Sequence, residues 1–486
     1  MLEQSSKKIF PEFFLKLILG LILSVLSAFM LIFSFSPYNL SYLVLIGFVP
    51  MLVSQYKVLP ERISSIAPAI TIGCFLGFYL MDVFAPFNAW YMKSLPIIIA
   101  VIVFFTDRKK VKVHKNTDFK YFVLCGVFSW VGIEYIRMFI PAFGTWAFLA
   151  YAFYNQPWFI QPVKIFSIFG LGIFIMLINY SLGLFIIKPS KYAWKILLIA
   201  LFVVIFWTSL SLTLYRKSES QTVRVGVIQV NPYKAKSEKE KMLPENLIYD
   251  KLIKLSYKAA KEGAKIILWP EGALNYDPKN SGNDAVKKFT KATNSYLIIP
   301  YVVYEEKGER NEATILNPEG KFLGVFGKDH PVVFAGETSI TRGTYPVFET
   351  QHGKFGLVIC YDLDFTDTSR KVSENGAQII FAPSKDWPQI AEKHYVHSVF
   401  RAVENEVSIV KGEWAYDSAI VDPFGRIIEK SISISPEEKV IVSDVPLGNR
   451  KTVYSITGDL LGLFSFIMMI VVQMLIVLEN KKKKIK

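Results

Sequence analysis

Apolar runs long enough to cross a lipid bilayer constrain this chain more than any other feature, because backbone polar groups in lipid are satisfied only within helices or closed barrels. Seven such runs precede residue 216, at about 13–34, 40–56, 65–83, 94–106, 120–140, 160–187 and 193–215, and an eighth follows at about 458–479. The fourth is the shortest. Composition agrees: 52% of the 486 residues are hydrophobic, above the roughly 45–50% usual for soluble domains. The expected architecture is a multi-span α-helical membrane domain at 1–221, an inserted polar domain at 222–447, and a closing transmembrane helix with a basic tail at 448–486.

The net charge of +14 does not mark a nucleic-acid face, because the basic residues fall in short blocks between apolar runs. No nucleic-acid partner is expected. Four blocks share one side if all eight spans cross: Lys57 and Arg62, residues 108–120, Lys188 to Lys195, and Lys481 to Lys484. Loops 35–39 and 141–159 carry no Lys or Arg. The positive-inside rule then puts both termini in the cytoplasm and the 222–447 domain outside the plasma (inner) membrane. The first run follows Lys7 and Lys8, exceeds a signal-peptide core and meets no small-residue cleavage site, so it reads as a retained anchor.

Cys74 and Cys125 sit inside apolar runs and Cys360 stands alone in the polar domain, so no disulfide framework is expected. An unpaired thiol in an oxidising compartment is at risk unless it is protected or needed. Around it, short β-rich runs alternate with helical spacing. Strands are expected at 223–230, 265–272, 296–303, 312–317, 322–326, 353–360, 377–384, 406–411 and 417–421, and helices at 245–261 and about 389–404. Several of these strands are apolar on both sides, which suits a sheet buried between layers.

Three strand ends present polar residues: Glu271 in "WPEG", Lys328 in "FGKDH" and Cys360 in "VICYD". Singly they read as a solvated turn carboxylate, a surface lysine and a core cysteine. Together they form a chemical unit. A thiol with a reference pKa of about 8.5 becomes a useful nucleophile if a base takes its proton or a cation holds the thiolate. Glu271 suits the base, and Lys328 suits the thiolate and a later oxyanion, with the backbone N–H after Cys360 as a second donor.

"WPEG", "GKDH" and "GKFGLVICYD", in that order, resemble the Glu–Lys–Cys signature of the nitrilase superfamily, and the likeness continues in "RAVEN" (401–405) and "IVDPFGRII" (420–428). The resemblance implies an αββα four-layer sandwich and an acyl thioester on the cysteine. Within that superfamily, seven spans, an outward catalytic domain and one closing span resemble the apolipoprotein N-acyltransferases, as do "FSPYNLSYLVLIGFVPML" (35–52), "WVGIEYIR" (130–137) and "GTWAFLAYAFYNQPWFIQP" (144–162). The family implies a phospholipid acyl donor, a diacylated apolipoprotein acceptor, a monomer and no cofactor.

By the same resemblance, Glu337 in "FAGE" matches a glutamate that supports the intermediate, one residue further from Lys328 than usual. Tyr361 matches the tyrosine after the nucleophile, and Asp362 replaces a more usual glutamate. The segments "VNPYKAKSEKEKMLPEN", "PSKDWPQIAEKHYVH" and "VKGEWAYDSA" depart from the family pattern and border the pocket it implies.

Other readings compete. His394 and His397, one helical turn apart, lack a third His or a nearby Cys in sequence and read as helix-face histidines rather than metal ligands; no metal is expected. A Cys–His hydrolase using His330 would leave Glu271 and Lys328 without a task. Glu134 and Arg137 lie three residues apart near the outward end of the fifth span, where they can pair, facing either a lipid headgroup or a neighbouring helix. Against a non-catalytic sensor stand the three intact chemical positions. A membrane-anchored amidase differs only in letting water discharge the thioester.

Overall fold

The computed structural model describes residues 2–86, 93–216, 220–233, 242–280, 284–448 and 451–485, without the side chains of 2–11, 284 and 484–485. Among these, six helical segments have the length and apolarity to cross a bilayer: Glu12–Ser34, Ser41–Val58, Glu61–Val83, Val163–Ile187, Lys191–Leu214 and Leu460–Lys483. The other two apolar runs form Leu95–Asp107, with 13 residues, and Phe122–Met138, with 17. At about 1.5 Å per residue both fall short of a hydrocarbon core of about 30 Å. Pro96 lies at the start of the first, and the second stops just before Pro141, so Pro limits both.

Among the described residues, two membrane segments are irregular in mid-span. Ser41–Val58 breaks into a 3₁₀ turn (Ser41–Leu45), a short α-helix (Val49–Val53) and a π turn (Ser54–Val58). Val163–Ile187 kinks at Ser167, whose φ is 57°. There a carboxylate from the polar domain enters the helix ladder: Glu404 Oε1 accepts from the Ile168 amide at 3.0 Å, the kind of insertion that kinks helices. Lys164 pairs with Glu406 at 3.0 Å one turn earlier.

The polar domain contains β1 (Thr222–Gln229), β2 (Ile266–Leu268), β3 (Tyr296–Glu305), β4 (Gly308–Leu316), β5 (Phe322–Gly327), β6 (Val347–Thr350), β7 (Gly353–Leu357), β8 (Ile379–Ser384), β9 (Ser408–Glu413), β10 (Asp417–Val421), β11 (Ile427–Ile432) and β12 (Lys439–Pro446). They form two six-stranded sheets, ordered β12-β1-β2-β3-β4-β5 and β11-β10-β9-β8-β7-β6. In each sheet three adjacent inner strands are parallel neighbours, β1-β2-β3 and β7-β8-β9. These are the near-continuous apolar runs of the sequence, as burial on both faces requires.

One face of each sheet meets the other, with Val225, Ile266 and Leu268 packed with Phe355, Leu357 and Phe381. Helices Glu245–Lys261 and Asp284–Thr293 cover the far face of the first sheet through Leu252, Ala259, Val286 and Phe289. Thr366–Glu374 and Ala391–Asn405 cover the second. The order is αββα. The last helix layer has a second neighbour, because Val396, Val399 and Val403 share one apolar core with Trp146, Phe148, Val163 and Phe169 of the membrane half.

Candidate active site

Glu271, Lys328 and Cys360 lie just beyond β2, β5 and β7, so the two sheets deliver all three to one end of the sandwich. Cys360 opens a 3₁₀ turn, Cys360–Asp364, with φ of +48°. A non-glycine residue held there costs about 1–3 kcal/mol, and such strain clusters at functional sites. Lys328 depends on a glycine: a Cβ on Gly327 would lie 1.3 Å from the carbonyl oxygen of Thr341, so only glycine lets this loop cross the strand end.

Lys328 is fully buried, and its Nζ sits 2.9 Å from Glu271 Oε1 and 2.7 Å from Glu337 Oε2. Burial alone would lower the ammonium pKa, but Glu271, Glu337 and the Cys360 sulfur outweigh it and hold it well above the usual lysine value. Asn311 Nδ2 donates to Glu271 Oε1 at 2.8 Å, and Trp414 Nε1 donates to the Glu271 carbonyl at 2.7 Å. The Val332 amide donates to Glu337 Oε2 at 2.8 Å. Both carboxylates are therefore fixed from more than one side. The thiol is buried, which pushes its pKa well up; Glu271 and Asp386 push the same way, while Lys328 and the Lys385 amide oppose them. Burial and the two acids thus favour the protonated sulfur.

Of the residues named with the triad, Glu337 joins the ion cluster directly. Tyr361 points away from it: its hydroxyl donates to the Pro141 carbonyl at 2.7 Å, tying the Cys360 turn to the membrane half. Asp362 is fully buried and accepts from the amides of Ile359 (2.8 Å), Asp329 (3.1 Å) and His330 (2.7 Å), which locks the Cys360 turn to the loop after Lys328. His330 stacks on Phe365 at 3.9 Å and faces Asp362 at 3.4 Å, occupied away from a base's position on sulfur.

Glu134 and Arg137 both bond to the loop that follows their helix. Glu134 Oε1 accepts from Trp130 Nε1 (2.9 Å) and the Leu149 amide (3.0 Å), whereas Arg137 Nη2 donates to the Trp146 carbonyl at 2.6 Å. Both hold the 146–149 loop, Glu134 at its Leu149 end and Arg137 at its Trp146 end. Both also line a cavity of ≈ 870 Å³ among the membrane helices.

His394 and His397, read from the sequence as helix-face histidines, are both buried. His394 Nδ1 meets Asp386 at 2.6 Å and its Nε2 faces Asp364 at 3.3 Å, while His397 pairs with Asp364 and stacks on Tyr151 at 4.4 Å. Asp386 is the protein group that takes the Cys360 S–H, at 3.6 Å. Sequence reading overlooked it. Its one signal is a lone acid after strand β8 in "PSKDW", the segment that departs from the family pattern. Of the other departing segments, 234–241 lies outside the described residues, and "VKGEWAYDSA" supplies Lys411, Glu413 and Trp414 around the site.

Comparison with known proteins covers both halves. The family model for carbon-nitrogen hydrolases matches residues 224–454, and that for the apolipoprotein N-acyltransferase N-terminal domain matches 27–181. An apolipoprotein N-acyltransferase of Geobacter metallireducens is 24% identical over 494 residues, covering 90% of this chain and 91% of its own. The omega-amidase NIT2 of Mus musculus is 26% identical over 258 residues, 46% of this chain and 89% of its own. Among solved structures, an amidase from Nesterenkonia sp. is 18% identical with a TM-score of 0.38, covering 48% of this chain and 92% of its own.

Proposed function

From the premise that this chain belongs to the apolipoprotein N-acyltransferase family of the carbon-nitrogen hydrolase superfamily, we propose that it moves an acyl chain from a phospholipid, through a thioester on Cys360, to the N-terminal amine of a diacylglyceryl-cysteine lipoprotein. It is an integral membrane acyltransferase. The observation that carries the route is the buried Glu271–Lys328–Glu337 ion cluster beside the Cys360 thiol.

In the first half-reaction Glu271 takes the thiol proton and the sulfur attacks the phospholipid ester carbonyl. A C–S bond forms, the C–O bond to glycerol breaks, and the proton passes from Glu271 to the departing alkoxide. Lys328 and the backbone N–H after Cys360 hold the developing oxyanion. Glu337 anchors Lys328. In the second half-reaction the amine attacks the thioester, C–N forms as C–S breaks, and Glu271 carries the amine proton to the sulfur. An α-amine with a reference pKa of about 7.7–8.0 offers a useful neutral fraction. Residues 222–447 act as the catalytic unit of a monomer.

The deciding experiment is single-turnover discharge of preformed thioester with a diacylglyceryl-cysteine peptide, its N-acetylated form, and buffer alone. The free amine is expected to discharge it at least about tenfold faster than either control, because a site between membrane spans raises the effective concentration of a lipid-anchored acceptor. Equal rates with free fatty acid as sole product would instead establish a membrane-anchored hydrolase.

The positive blocks support eight crossings, with the two short helices completing the set, both termini cytoplasmic and the sandwich outside. Lys321 is exposed in the β4–β5 turn. A cysteine placed there is expected to react with a membrane-impermeant maleimide in intact cells, above the parent background; labelling only after permeabilisation would reverse the orientation.

A further inference from the structure

We propose that Asp386 is a second carboxylate acting on the reacting sulfur: it accepts the Cys360 proton at rest and is held there by His394, Asp364 and Lys411. The proposal rests on Cys360 being the nucleophile. It gives the two acids near sulfur different tasks. Glu271 moves protons during transfer, whereas Asp386 keeps the idle nucleophile protonated.

The geometry separates them. Glu271 Oε1 is shared between Lys328 and Asn311, whereas Asp386 Oδ1 receives the thiol at 3.6 Å. Asp386 Oδ2 is pinned by His394 Nδ1 and Lys411 Nζ, each at 2.6 Å. His394 Nε2 then faces Asp364, the last residue of the turn that Cys360 begins. The line thus runs from one end of the nucleophile turn to the other, and Asp364 Oδ2 accepts from Trp146 Nε1 of the membrane half at 2.9 Å. His394 and Asp364 are positioning residues, because they reach sulfur only through Asp386 and the turn.

Charge supports the assignment. Burial opposes ionisation of Asp386, but His394 and Lys411 hold its pKa well below the usual carboxylate range, so it accepts a proton bond rather than donating one. The two carboxylates likewise overcome burial at His394 and raise its pKa to about 10, keeping it cationic at neutral pH. Lys411 also meets Asp417 at 2.7 Å, and Glu413 takes the Asp386 amide at 3.0 Å. Burial pushes the Asp417 carboxyl well up from its usual value, and Asp386 pushes the same way. The Cys360, Asp386 and His394 ligand atoms lie within 4.8 Å of one another, close enough for a metal ion. Here both imidazole nitrogens face carboxylates and Lys411 neutralises Asp386, so the cluster balances its own charges.

An anion facing the thiol disfavours thiolate; a cation behind that anion favours it. Removing each must therefore shift sulfur in opposite directions, which a purely structural role does not predict. The test is iodoacetamide alkylation of the full-length protein in detergent, where an S–C bond forms and iodide leaves. The Cys360 peptide is quantified by mass from neutral to alkaline pH. The wild-type midpoint is expected above the ordinary thiol value of about 8.5. Asp386→Asn should react about tenfold faster at neutral pH, a midpoint about one unit lower, and His394→Gln should react more slowly. Shifts of the same sign, or none, overturn the proposal. Should one variant fail to fold, the other decides by sign: faster alkylation of Asp386→Asn, or slower alkylation of His394→Gln, supports the proposal, and the reverse or no change overturns it. Alkylation uses neither lipid nor acceptor, so failure here leaves acyl transfer standing, and loss of acyl transfer with these shifts intact overturns the proposed function alone.

Discussion

Cys360→Ala is expected to yield a folded, membrane-inserted protein that forms no acyl adduct and transfers no acyl chain. The substitution deletes one sulfur atom from a buried site and leaves the Glu271–Lys328–Glu337 ion cluster intact. It also removes a group that burial and two carboxylates disfavour as thiolate, so little stability is at risk. The loss of rate should be on the order of 10⁶-fold, the scale seen when a hydrolase loses its nucleophile. Intact mass after incubation with phospholipid checks the adduct, and thermal unfolding in detergent checks the fold. An adduct or undiminished transfer in the alanine variant would sink the thioester route. Cys360→Ser should give a slow or stalled adduct, because a hydroxyl is harder to ionise than a thiol.

Lys328→Met should have the next largest effect, and it acts on both stability and rate. The ammonium is fully buried between two carboxylates, and removing it leaves both without their counter-charge. Breaking a buried pair in this way costs about 3–5 kcal/mol. Adduct formation should slow by at least about 10²–10³-fold, the scale for loss of one oxyanion donor. Adding Glu337→Gln removes one of the stranded charges and should recover part of the unfolding temperature without recovering the rate. A single variant with wild-type adduct kinetics would take Lys328 out of the chemistry.

The sandwich was legible because its central strands, buried on both faces, leave uninterrupted apolar runs such as "KIILW" and "FGLVI". Edge strands left weaker traces. In β11, "IIEKSI" mixes charge with apolar residues because its middle is exposed, and β12 alternates in the same way. Glu271, Lys328 and Cys360 stood out as polar residues where such runs stop. Asp386 and His394 did not, since their meaning lies in a convergence of the β8 end, a helix and the Cys360 turn. Two histidines at i and i+3 look alike on a wet helix and on one buried among carboxylates. For Glu134 and Arg137, spacing shows a shared helix face but not the backbone partners at Leu149 and Trp146.

The core shared by Ala391–Asn405 and the membrane half bears on the order in which the protein is built. A chain made from its N-terminus presents the Glu134–Arg137 loop clamp and the 163–187 segment well before it reaches Cys360, and the kink at Ser167 closes only when Glu404 arrives. The later sandwich therefore assembles on a surface already waiting for it, with Trp146 ready to receive Asp364 and the Ile168 amide ready to receive Glu404. The membrane half thus holds the Cys360 turn from outside the sandwich, through Trp146 on Asp364 and Pro141 on Tyr361. A polar half released at residue 221 would lack those contacts and would leave the apolar side of its last helix layer bare to water.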